Sequence, residues 1–157
     1  MKIVEKIRIL SEDIFFRSVF CGSVAGVLKD IIDYFFYFFK LDQQPFWYAA
    51  TLIAYGQPPK GLFMNIIGVL EEIIFSGFWG IPFALIARKI KTRHYLFLGI
   101  IYGGMLWFFF RSLILAFQIN ELKIPQTFFH PVIIWLLSVF YGTVLAWLER
   151  KLSPKTS

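Results

Sequence analysis

Six ionisable residues stand inside stretches that are otherwise apolar: Lys29, Asp30 and Asp33 in one run, Glu71 and Glu72 in a second, and Arg111 in a third. In a lipid environment such side chains face a bundle interior or a wet cavity, and each marks a candidate functional site. Four acids against two bases would leave two negative charges buried if all were ionised. That is costly without protonation, water or a bound cation. Two chemistries suit such a set. In one, Asp33 and Glu72 are the carboxylates of a proton- or cation-responsive site. In the other, Lys29–Asp33 and Arg111 with Glu71 or Glu72 are structural ion pairs, and the remaining charges reach toward the surface.

These residues need elements to carry them, and the composition says which. The chain is 58% hydrophobic over 157 residues and contains twenty Phe, more apolar surface than a soluble core of this size can bury. Its apolar runs reach about 20 residues, the length that crosses about 30 Å of hydrocarbon. Four spans are predicted, over roughly 14–39, 62–87, 95–117 and 130–148. The apolar piece at 45–55 is too short to cross. With Trp47 and Tyr48 at its start, it is predicted as an interfacial or re-entrant helix. Residues 1–13 are a mixed-charge amphipathic lead-in, and Gly56–Gly61 is rich in turn residues. One transmembrane domain, an all-α four-helix bundle, accounts for the whole chain.

Small residues mark where these helices approach one another. Gly22, Gly26, Lys29 and Asp33 recur at intervals of four, three and four and so share one helical face. Gly22 and Gly26 form a small-xxx-small pair suited to close helix packing. Gly68 shares a face with Asn65, Glu72, Ser76 and Trp79, and Pro82 is a candidate kink. Gly103 and Gly142 each follow a tyrosine, Tyr102 and Tyr141, an echo that suggests either an internal repeat or chance.

Lys and Arg set the orientation. Four lie in the segment up to Arg17, four in the turn after the second span and three in the tail, against Lys40, Lys60 and Lys123 in the other two loops. Positive loops stay in the cytoplasm, so both termini are expected inside and the 45–55 helix outside. At about 1.5 Å per residue, the six charges then fall at similar depth, from the midplane into the outer half.

Several function classes find no support. The net charge of +6 is spread around the spans, which argues against nucleic acid. Cys21 is the only cysteine, so no disulfide framework or Cys-based metal cluster can form, and it is read as an apolar filler. Glu71-Glu72 is similar to the paired glutamates of CAAX-type intramembrane proteases, but the arginine four residues further on is Ser76 here. The spans offer no interior histidines: His94 sits in a turn and His130 at a helix mouth. No nucleophile elbow, nucleotide loop or metal-binding His pair is present. No enzyme activity, cofactor or metal is expected.

The glycine-aromatic segments nevertheless resemble a family. Residues 20–26 (FCGSVAG), 60–67 (KGLFMNII), 101–107 (IYGGMLW) and 140–142 (FYG), with the helix order and loop lengths over roughly 15–148, are similar to the YqhR-like small membrane proteins of Gram-positive bacteria. The resemblance implies a four-helix protein of the bacterial cytoplasmic membrane, and it carries no functional residue across. The expected function is a small non-enzymatic scaffold or partner-binding subunit whose partners are the bilayer and membrane helices, including a second copy. The alternative is a small proton- or cation-linked transporter or channel-like protein using the carboxylate cluster.

Overall fold

A computed structural model describes residues 13–42, 44–90, 94–117 and 129–153. Most of the amphipathic lead-in, the basic turn at 91–93, the loop at 118–128 and the end of the tail lie outside the described residues. Those that are described are helical, with short connections. The helices are α1 (Ile14–Phe38), α2 (Phe46–Tyr55), α3 (Gly61–Ile90), α4 (Tyr95–Ala116) and α5 (Phe129–Leu152). They match the predicted apolar runs closely. α3 and α5 extend beyond the apolar limit into Arg88–Lys89 and Arg150–Lys151, where basic side chains suit a helix C-terminus.

Three helices, α3, α4 and α5, are long and apolar enough to cross a membrane. α1 has 25 residues, but Arg17, Lys29, Asp30 and Asp33 keep it out of that class. Its start is capped by Asp13, whose carboxylate accepts the N–H groups of Phe15 at 2.8 Å and Phe16 at 3.3 Å.

α1 packs along α3 on one side and along α5 on another, α4 packs along α5, and α2 lies against the first turns of α3. α3 and α4 are neighbours in sequence yet scarcely touch. Two glycine seams explain the close pairings. In the α1–α3 seam a Cβ on Gly22 would collide with the Ser76 carbonyl and one on Gly80 with the Ser18 carbonyl, while Gly26 faces the Ser76 side chain. In the α4–α5 seam Gly99 and Gly142 face each other's backbone, and Gly103 meets the Ser138 carbonyl. Gly68 does the same for α2, lying against Thr51 and the Trp47 carbonyl. The Gly22–Gly26 face is therefore covered by α3 within the chain and is not free for a second copy.

The tyrosine echo has a physical reason. Tyr102 from α4 donates to the Trp79 carbonyl at 2.6 Å, and Tyr141 from α5 donates to the Ser76 carbonyl at 2.5 Å. Both hydroxyls thus reach α3, which runs on through Pro82 although the proline lacks the N–H that would bond to Phe78. The adjoining core contains Cys21, Ala25, Phe83, Ala87, Leu145 and Ala146.

Candidate functional site

Lys29 is the centre of the charged group. It is 3% exposed, its Nζ is ion-paired to Glu72 from α3, and it lies 3.1 Å from the Asp30 carboxylate. The same ammonium sits 3.6 Å above the Phe46 ring, a cation–π contact strengthened by exclusion of water. Ser76, one turn along α3, donates to Glu72 at 3.3 Å.

The expected Lys29–Asp33 pair is not formed. Asp33, 0% exposed, accepts the backbone N–H of Phe46 at 2.7 Å. That is the first residue of α2, whose N-cap residue Pro45 supplies no side-chain hydrogen bond. A carboxylate from α1 thus satisfies an orphan donor and complements the positive end of the α2 dipole. The reach of Lys29 toward Glu72 leaves Asp33 to this second task.

The expected pairing of Arg111 with Glu71 or Glu72 is not formed either. Glu72 is taken by Lys29, and α4 leans on α5 rather than on α3. Arg111 is half-buried with no ion-pair partner among the described residues, and Glu71 Oε2 is buried with no hydrogen-bond partner. Both line a cavity of about 520 Å³ between α3 and α4, closed from the other sides by α2 and α5. Lys29 and Glu72 also reach its wall, whereas Asp30 and Asp33 do not. The remaining lining is largely apolar and aromatic. Phe75, Trp79 and Phe110 stack edge to face across the α3–α4 gap with ring centroids 5.5–5.9 Å apart. The Trp79 indole N–H has no partner among the described residues.

Two further buried pairs fall outside the six expected residues. Arg17 Nε donates to Glu149 Oε2 at 3.0 Å, joining the start of α1 to the end of α5. His130, expected at an open helix mouth, is 7% exposed and ion-paired to Asp42, which is 2% exposed. Both pairs were discoverable, because α1 and α5 run antiparallel in any four-span arrangement and so share ends. Among the described residues, no group of three or more His, Cys, Asp or Glu side chains is arranged to hold a metal ion. No protein-family model, curated protein or solved structure matches the chain.

Proposed function

We propose that the protein is a four-span, non-enzymatic binding subunit of the membrane. Both termini are cytoplasmic, α2 lies at the outer surface, and the cavity between α3 and α4 is the place of binding. The observation that carries this is the division of labour among the charges. Lys29, Asp30, Asp33 and Glu72 are engaged with one another or with the backbone, as structural groups are, while the cavity beside them is lined by rings and by Arg111 and Glu71, neither of which is in an ion pair among the described residues. A large apolar pocket with a few convergent polar groups is the usual form of a ligand site. The bacterial cytoplasmic membrane is assigned on the family resemblance alone.

Transport of protons or cations is the second reading, because Glu72 reaches the cavity wall. Proton and cation flux into proteoliposomes separates the two. Binding without transport predicts flux no greater than in empty vesicles, and a flux abolished by Glu72→Gln would put transport first. Topology has its own check. In a Cys21→Ala background, Lys40→Cys and Lys60→Cys should react with an impermeant thiol reagent from outside, and Ser153→Cys only after permeabilisation. The reverse pattern would invert the assignment.

A further inference from the structure

The polar groups around the cavity are committed within the protein. Lys29 is paired to Glu72 and His130 to Asp42. The hydroxyls of Ser76, Ser138 and Tyr141 donate to the Glu72 carboxylate, the Ile134 carbonyl and the Ser76 carbonyl. The Trp79 indole nitrogen and Glu71 Oε2 are buried beyond the touch of an occupant. Arg111 stands midway along the α4 wall, about 9 Å from Phe117, and a side chain of its length can carry its charge toward the end near α2. Buried water needs about two to four polar partners, and these are spent. An empty void of about 520 Å³ would forfeit the dispersion contacts of the side chains around it. Hydrocarbon is the filling that remains.

The shape of the cavity says which hydrocarbon. Its α4 wall runs from Leu106 to Phe117 and its α5 wall from His130 to Tyr141, each about 16 Å along the helix axis. Leu106 is at the middle of α4, one of the helices apolar enough to cross a membrane. Half of a hydrocarbon core of about 30 Å is about 15 Å, so the slot is one leaflet deep. Its volume is more than three times the about 150 Å³ that holds one benzene, so the occupant is longer than a single ring. It opens on the α3–α4 side at the level of α2, where Ile53 and Phe117 border it and are 78% and 74% exposed. The inner end is blind, with Trp79 and Tyr141 on its wall and the stacked rings of Phe83 and Tyr102 beyond them. We propose that the cavity takes one acyl chain of a bilayer phospholipid. The methyl end lies against Trp79 and Tyr141, the head group stays outside beside α2, and the second chain remains in the leaflet. This assignment rests on reading the cavity as the place of binding.

The test is photolabelling of the full chain in phosphatidylcholine vesicles. They carry a trace of the same lipid with a diazirine near the methyl end of one acyl chain, and peptide mass spectrometry locates the adducts. Tyr141, 5% exposed and out of reach of surrounding lipid, should be labelled as well as Phe108, 68% exposed on the outside of α4. With the diazirine beside the ester instead, Tyr141 should lose its adduct and Ile53 or Phe117 should gain one. Ile134→Trp and Ala50→Phe fill the slot from α5 and from α2. Each should abolish the Tyr141 adduct and leave that on Phe108 unchanged, so one folded variant is enough. Labelling of Phe108 without Tyr141 would overturn the proposal. So would a Tyr141 adduct that survives both substitutions or forms equally from either diazirine position. A compact aryl diazirine that labels Tyr141 where the lipid does not would remove the acyl chain and leave the cavity as a binding site. Exclusion of both probes would remove the binding site as well, and a dimer in native mass spectrometry of that sample would name a second copy as the occupant.

Discussion

A lysine that is 3% exposed in an apolar bundle needs its charge answered within reach, and Lys29 is answered by Glu72, by Asp30 and by the face of Phe46. Truncating one partner of a buried pair costs about 3–5 kcal/mol because the other charge stays behind. Glu72→Gln should therefore lower unfolding stability in detergent by that amount. Lys29→Leu with Glu72→Leu should not recover it, since Asp30 then has no cation, whereas adding Asp30→Asn to that pair should. A stable Glu72→Gln variant would show that Lys29 draws its stabilisation from elsewhere. The identity of these residues was legible in the sequence, and their partners were not. Spacing places Lys29 and Asp33 on one helical face, but it does not say that the N-terminus of α2 will arrive there needing an acceptor. Nor does depth alone separate Glu71 from Glu72. Only the close approach of α1 to α3 decides which of them meets Lys29.

Between helices, the glycines carry the packing, and their tolerance should differ sharply. Gly103→Ala drives a methyl into the Ser138 carbonyl of α5. Backbone cannot yield as a side chain can, so the cost should be about 1–3 kcal/mol. At the next position, the added carbon of Gly104→Ala meets nothing closer than the Trp135 indole nitrogen at 3.7 Å. That change should be neutral or stabilising by about 0.5–1 kcal/mol through helix propensity. Thermal unfolding of the two variants side by side checks the α4–α5 seam, and equal effects would argue against it. Tyr141→Phe removes one interhelical hydrogen bond and should cost about 0.6 kcal/mol, at most about 1.7. Helix existence and length were readable from the apolar runs, because lipid leaves the backbone few alternatives. Which helices embrace was hidden, since small residues occur on all four long helices. α3 and α4, joined by a short connection, would be expected to pair, yet α3 takes its glycine contacts from α1 and α2, and α4 takes its own from α5.

At the level of the molecule, α1 and α5 form a spine fastened at both ends, by Arg17–Glu149 at one and Asp42–His130 at the other. A double-mutant cycle on Arg17→Gln and Glu149→Gln should return a coupling of about 0.5–3 kcal/mol. The same measurement on Arg17→Gln and Glu72→Gln, which share no partner, should return about zero. Additivity in the first cycle would unfasten that end of the spine. Opposite the spine the α3–α4 side is held by aromatic rings rather than by backbone contact, and there the cavity opens.

The spine also has a consequence for the order of synthesis. Chains enter the membrane from the N-terminus, so α5 is the last of the described helices to arrive. Before it does, Arg17 lacks Glu149, Asp42 lacks His130, and the glycine face of α4 has no helix to receive it. Every intermediate thus presents the signals of an unassembled membrane segment, and a single late insertion withdraws them together. A chain cut short before residue 129 would leave all of these contacts unmade, because α5 supplies Glu149, His130 and the glycine seam that receives α4.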